Sequence, residues 1–153
     1  TASSLLRDDA QVHNLLGVAL HKAGRTSEAL QALRTAVQID PRHFESHNNL
    51  GNVLRDIGDV DAAVQNYRHA ISIDAGFAQA HNNLGNALRD LGRLDEAVAS
   101  IRTALQINPG HATAHRNQAA AGRRGAETCY NRRRELCGAA CGAQPGLRQR
   151  SHA

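Results

Sequence analysis

Two stretches of the sequence carry a high density of side-chain amides. They read HNNLGNVLRD from His47 to Asp56 and HNNLGNALRD from His81 to Asp90, so the same ten-residue pattern recurs 34 residues later with three asparagines in each copy. A carboxamide offers both a hydrogen-bond donor and an acceptor, which suits it to grip the backbone of an extended peptide without reading its side chains. These amides are the first candidates for a binding surface.

A plainer interpretation is a polar helix face that only contacts solvent and whose residues were copied by a recent duplication. Against it stands the cost of asparagine inside a helix, roughly 0.5–0.7 kcal/mol relative to alanine. An exposed face can use Glu, Lys, Gln or Ala instead, so three asparagines per helix need a reason. We therefore favour a binding role and keep the solvated face as the alternative.

Other chemistry finds little support in the sequence. It contains no Gly-rich phosphate loop, no G-x-S-x-G elbow and no H-E-x-x-H motif, so we expect no catalytic residues, no cofactor and no small-molecule substrate. The histidines His13, His47, His81 and His115 recur at the 34-residue step. Packed helices lie about 10 Å apart whereas zinc ligands lie about 2 Å from the metal, so we predict that these histidines pack between helices and bind no metal.

The elements that would position the amides follow from the same period. Within one copy, apolar and small residues recur at helical spacing on both sides of Gly58, which predicts two helices joined at a glycine turn. Three full copies share this pattern. Its recurring members are the Leu-Gly pairs at 16–17, 50–51 and 84–85, the turn glycines Gly24, Gly58 and Gly92, the alanines Ala29, Ala63 and Ala97, and the bulky residues Leu33, Tyr67 and Ile101.

A single hairpin of this size cannot cover its own apolar stripe, so neighbouring hairpins must stack and share a core. The sequence therefore predicts an all-α solenoid of antiparallel helical hairpins with repeats at residues 10–43, 44–77 and 78–111. Residues 1–9 fit the end of an earlier repeat, which predicts an uncovered apolar face on the first hairpin. Residues 112–122 fit the start of a fourth repeat.

This pattern resembles the tetratricopeptide repeat, W-x₂-L-G-x₂-Y, then A-x₃-F, then P. It is carried here by His47, Leu50-Gly51, Leu54, Ala63 and Tyr67, with Pro41 and Pro109 closing the flanking copies, and it covers residues 10–111. Histidine, leucine and Ala75 replace the usual tryptophan, tyrosine and one proline. The resemblance implies a right-handed superhelix whose first helices line a concave surface, the usual peptide site of the family.

The asparagine series is also similar to the ladder in the superhelical region of O-GlcNAc transferases. Carried over by position, this resemblance implies that Asn49, Asn83 and Asn117 grip a peptide backbone, while Leu15 and Val18 interrupt the series in the first repeat. The remaining residues predicted for the peptide site are Asn48, Asn52, Arg55, Asn82, Asn86 and Arg89. We expect a scaffold that binds an extended peptide or a partner protein. The alternative is the substrate-recruiting part of a larger O-GlcNAc transferase-like enzyme.

The net charge of +4 is concentrated after residue 115, where eight arginines stand against Glu127 and Glu135. Residues 123–153 form a basic tail that we expect to be disordered or encoded out of frame, because arginine is used almost to the exclusion of lysine and the repeat breaks off abruptly. A second alternative function is a nucleic-acid binder that uses this tail, although base-stacking aromatics are scarce, so we do not expect nucleic acid as a partner.

Cys129, Cys137 and Cys141 lie in the tail without the paired spacing of a zinc site. No stretch approaches the roughly 18 apolar residues of a membrane helix, and the N-terminus lacks the layout of a signal peptide. We therefore expect a cytoplasmic protein without a membrane partner. The absence of methionine suggests that the sequence is a piece of a longer product.

Overall fold

The computed structural model describes residues 2–111 and 113–123, and all its regular elements are helices. The tail predicted at residues 123–153 therefore lies outside the described residues beyond Arg123. The helices follow one another as α1 Ala2–Lys22, α2 Thr26–Ile39, α3 Phe44–Asp56, α4 Val60–Ile73, α5 Ala78–Asp90, α6 Leu94–Ile107 and α7 at 113–123. The predicted all-α repeat solenoid is confirmed.

The helices pair into hairpins because a glycine reverses the chain between the members of each pair. α1 packs on α2, α3 on α4 and α5 on α6, and each first helix also contacts the hairpin before it. The three turn glycines have φ values between +77° and +94°, a region that other residues enter only with strain. The 34-residue period thus places one tight turn in every copy, at Gly24, Gly58 and Gly92.

The glycine of each Leu-Gly pair lets the two helices of a hairpin approach closely. A Cβ atom added to Gly51 would lie 2.7 Å from Cε1 of Tyr67, and Gly17 and Gly85 face Leu33 and Ile101 in the same way. Tyr67, Leu33 and Ile101 are fully buried as a result. Each bulky residue of a second helix therefore fills the space that a glycine of the first helix leaves open.

The core runs through consecutive hairpins without interruption. One cluster of buried residues joins α2 through α6, including Leu33, Leu54, Tyr67 and Leu88. A second cluster joins α6 to α7 through Ile101 and Ala114. Hence the residues 113–123 pack as the first helix of a further hairpin would.

The first hairpin has an open apolar face. Leu16 is 47% exposed, whereas its counterparts Leu50 and Leu84 are only 6% and 7% exposed because the preceding hairpin covers them. No described residue covers Leu16 in the same way. α1 is also continuous from Ala2 through residues 6–9, where the repeat register places a loop between two helices. The origin of residues 1–9 in an earlier repeat therefore stays a prediction.

Substitution of Gly51 tests the close approach. Gly51→Ala is expected to lower the free energy of unfolding by up to about 2 kcal/mol, because overpacking against the buried Tyr67 ring costs about 1–3 kcal/mol and the helix-propensity gain offsets only about 1 kcal/mol of it. The measurement is urea denaturation followed by circular dichroism. Gly122→Ala is the matched control, since no atom of the described residues lies within 4 Å of a Cβ added there and alanine should not lower stability. An equal change in stability for the two variants would contradict the packing argument.

Candidate functional site

Asparagines of neighbouring first helices hydrogen-bond to one another. In each bond the donor lies on the later helix and the acceptor on the earlier one, so the bonds run in one direction along α1, α3, α5 and α7. We call this series the asparagine ladder. Its Nδ2-to-Oδ1 bonds measure 2.8–2.9 Å and run from Asn49 to Asn14, from Asn83 to Asn48 and from Asn117 to Asn82.

Burial separates the acceptors of the ladder from its donors. The acceptors Asn14, Asn48 and Asn82 are only 2–4% exposed. Asn48 and Asn82 were expected beside a peptide in the groove, but they lie between packed helices because their oxygens serve the next hairpin. Their side chains therefore offer little surface to a partner.

The donors remain accessible. Asn49, Asn83 and Asn117 are each partly exposed. Each uses Nδ2 in the ladder, and no hydrogen bond to its Oδ1 atom is present among the described residues. Because the orientation of each amide is fixed by the bond to the earlier helix, a free acceptor remains at a regular step on three successive helices.

Asn14 belongs to the ladder although it was not among the predicted site residues. Its signal in the sequence is the column formed by Asn14, Asn48 and Asn82, which are spaced by 34 residues. The ladder bonds span 35 residues, so each joins one column of the repeat to the adjacent column in the copy before it.

Asn52 and Asn86 occupy equivalent places on α3 and α5 but have different surroundings. Oδ1 of Asn52 accepts hydrogen bonds from the Tyr67 hydroxyl at 2.8 Å and from Asn83 Nδ2 at 3.1 Å. Burial raises the pKa of Tyr67, which keeps its hydroxyl protonated as a donor. Oδ1 of Asn86 is buried and has no partner among the described residues.

The two predicted arginines also differ. Arg55 Nε donates to Asp90 Oδ2 at 2.7 Å, one repeat further on, in the way that His21 Nε2 contacts Asp56 Oδ2. Arg55 was predicted for the peptide site, but Asp90 of the chain itself already pairs with it. Within the described part of the chain, Nε of Arg89 has no such partner.

Two polar cavities lie along the first helices. The first, of about 280 Å³, is bounded by α1, α3 and α5 and includes Asn49, Asn52 and Lys22. The second, of about 400 Å³, lies between α5 and α7, and we call it the Asn86 pocket. Its lining includes Asn82, Asn83, Asn86, Asn117, Gln79 and Arg116, together with His111 and Thr113.

Three of the recurring histidines hydrogen-bond to the loop that precedes their own helix. His47 Nε2 donates to the carbonyl oxygen of Pro41 at 2.9 Å, and His81 and His115 donate in the same way to Ala75 and Pro109. Within residues 2–111 and 113–123, no three His, Cys, Asp or Glu side chains come together as a metal site would require. The three cysteines lie outside these residues. In the same part of the chain, no helix is long and apolar enough to cross a membrane.

Comparison with known proteins gives a consistent family. The sequence matches models described as TPR repeat at residues 19–54 and 51–88 and as tetratricopeptide repeat at residues 78–111. No curated protein sequence gives a significant match.

Solved structures share the fold. The first TPR of Spaghetti (RPAP3), bound to the HSP90 peptide SRMEEVD, superimposes with a TM-score of 0.75 at 19% identity, covering 78% of this chain and 94% of that one. YrrB, a TPR protein with an unusual peptide-binding site, gives 0.68 at 24% identity over 72% of this chain and 57% of its own. An O-GlcNAc transferase of Thermobaculum terrenum gives 0.71 at 25% identity over 74% of this chain and 22% of its own.

Removal of a buried ladder acceptor tests the packing role of the asparagines. Asn48→Ala is expected to lower the free energy of unfolding by about 1–3 kcal/mol, because Asn83 Nδ2 then keeps only its longer bond to Asn52. Gln65→Ala on the exposed face of α4 is the control and should change stability by less than about 0.5 kcal/mol. Equal effects of the two substitutions in urea denaturation would remove the structural role of Asn48.

Protonation of His47 should weaken the fold. Burial lowers the pKa of His47 below its ordinary value of 6.5, and its ring lies 4.2 Å from that of His69. The unfolded chain therefore binds this proton more readily, so the stabilising contribution is present above pH 6.5 and is lost as the pH falls through the lowered pKa. His47→Phe should flatten the fall in unfolding free energy between pH 7 and pH 5, and an unchanged slope would contradict this assignment.

Proposed function

This chain belongs to the tetratricopeptide repeat family, and we propose that it is a protein-interaction scaffold that binds an extended segment of a partner protein along its first helices. The observation that carries the proposal is the one-directional asparagine ladder. It leaves the amide oxygens of Asn49, Asn83 and Asn117 without partners among the described residues. Backbone N–H groups of an extended segment are the donors that such a row of acceptors would receive.

The surroundings of these amides support a polar backbone ligand. The Asn86 pocket is lined mainly by amides together with Arg116, and the smaller cavity combines amides, His21 and Lys22 with three aliphatic side chains. An apolar helix laid into such a surface would leave amides without hydrogen bonds, which costs free energy. An extended segment supplies its own donors and acceptors at every residue. Two of the structural neighbours are described with a bound peptide or a peptide-binding site.

The role of each predicted site residue is revised accordingly. We assign direct contact with the partner to Asn49, Asn83 and Asn117, with Asn52, Asn86 and Arg89 beside them. Asn48 and Asn82 hold the ladder from within the packing, and Arg55 is held by Asp90. A cytoplasmic location fits this function, and we propose no catalytic activity for residues 1–123.

A paired set of substitutions separates binding from packing. Asn49→Ala/Asn83→Ala and Asn14→Ala/Asn48→Ala break the same two ladder bonds, but only the first pair removes amide oxygens from the accessible surface. The first pair should weaken the binding of unstructured peptides by about fivefold or more, if each backbone hydrogen bond contributes about 0.5–1.5 kcal/mol. The second pair should lower stability similarly but weaken binding less, because it leaves the oxygens of Asn49 and Asn83 on the surface and removes only the bonds that orient them.

The measurement is fluorescence anisotropy with labelled peptides selected from a random library on the full chain. Circular dichroism at the assay temperature shows whether both double variants stay helical. Equal affinity of the first pair and the unsubstituted chain would refute binding through these amides and leave the solvated polar face as the interpretation.

A second candidate function is the recruitment of substrate for a larger glycosyltransferase. The likeness to the Thermobaculum terrenum O-GlcNAc transferase supports it, although this chain covers only 22% of that protein. The two candidates share the same binding surface and differ in what is attached to it. The complete coding sequence distinguishes them, because only the second candidate requires a catalytic domain in the same product.

A further inference from the structure

The middle and third repeats have nearly identical first helices but differ in one hydrogen bond from the second helix. In the middle repeat, the Tyr67 hydroxyl and Asn83 Nδ2 both donate hydrogen bonds to Oδ1 of Asn52. In the third repeat, Ile101 stands at the place of Tyr67 and has no hydroxyl, and the Nδ2 atom of Asn117 bonds to Asn82 instead. Asn86 Oδ1 is consequently left without a donor among the described residues, although the residue is only 9% exposed.

The Asn86 pocket also gains a positive charge. Arg116 occupies the position held by Asn14, Asn48 and Asn82 in the earlier copies. Arg116 lines the pocket, and no carboxylate or aliphatic side chain is among the described lining residues. The pocket therefore combines a lining residue whose amide oxygen receives no hydrogen bond with a cation that has no carboxylate beside it among the described lining residues. A matching ligand would carry a hydrogen-bond donor for Asn86 and an acceptor for Arg116.

We propose that the Asn86 pocket selects the side-chain carboxamide of an asparagine or glutamine in the bound segment, an inference that rests on the proposed function. A carboxamide carries a donor for Asn86 and an acceptor for Arg116 on one planar group. A carboxylate satisfies Arg116 but sets an oxygen against Asn86 Oδ1. An ammonium group satisfies Asn86 but meets the charge of Arg116, and an alkyl chain satisfies neither.

Two substitutions at Ile101 differ only by a hydroxyl group, which should donate a hydrogen bond to Oδ1 of Asn86. Gly85 faces Ile101 as Gly51 faces Tyr67, so the third repeat has a glycine opposite the position at which an aromatic ring is introduced. Ile101→Tyr should place a hydroxyl on Asn86 Oδ1 as Tyr67 does on Asn52. Ile101→Phe adds the same ring without that donor. Asn86→Val, which introduces the residue present as Val18 in the first repeat, removes the acceptor directly.

The test measures affinities of the full 153-residue chain for a set of peptides built on a host that binds through Asn49 and Asn83. Each host position is varied in turn to Gln, Asn, Glu, Lys, Ser and Leu. At one position, Gln or Asn should bind about tenfold or more tightly than Leu or Lys, since a polar site rejects groups that leave it unpaired. Ile101→Phe should keep this preference, and Ile101→Tyr and Asn86→Val should reduce it to about twofold or less.

The outcomes separate this proposal from the function on which it rests. A preference for Glu over Gln, or equal affinities at every position while Asn49→Ala/Asn83→Ala still weakens binding, would overturn the carboxamide subsite alone. A preference that survives Ile101→Tyr and Asn86→Val would also overturn it. If Asn49→Ala/Asn83→Ala leaves peptide binding unchanged, the proposed function and the subsite fail together.

Discussion

The shared burial between consecutive hairpins is the constraint on which the rest of the structure depends. A hairpin with no hairpin before it leaves one side of its apolar stripe open, as Leu16 shows on α1, whereas the preceding hairpin covers the equivalent position at Leu50. This stacking brings the first helices close enough for a side chain on one to reach a side chain on the next. The ladder, the ion pair between Arg55 and Asp90 and both polar cavities exist because of this proximity.

The asparagines satisfy two demands with one functional group. An amide buried between helices must be hydrogen-bonded, or it destabilises the fold. Here the Nδ2 atom of a later amide meets the Oδ1 atom of an earlier one, and the direction of the bond fixes which atom remains for a partner. Glutamate or lysine on the same face would also be well solvated, but two such charged side chains could not form this neutral hydrogen-bonded pair. The helix-propensity cost of asparagine is therefore offset by contacts between repeats.

The sequence predicted the hairpins, their turns and the family, because those features depend on period and residue size. The turn at Gly58 and the packing role of Tyr67 were predicted from the recurrence of equivalent residues every 34 positions. The separation of Asn48 from Asn49 could not be predicted in this way, since both lie on the polar side of α3 and only the position of α5 decides which of them is buried. The partner of Arg55 was missed for the same reason. Contacts between repeats span 35 residues, one more than the period that the sequence displays.

The comparison of Asn52 with Asn86 shows where an array of this kind can vary its recognition. Duplication kept the first helices nearly the same, so the surface offered to a partner would be uniform if those helices alone determined it. The second helices differ, because Ile101 stands in the third repeat where Tyr67 stands in the middle one. This difference determines whether the buried amide oxygen receives a hydrogen bond from the second helix. A residue that is fully buried behind the groove can thus alter the chemistry of the groove, because it supplies or withholds one donor. Under the proposed function, specificity would therefore depend on the residues that support the asparagines as well as on the asparagines themselves.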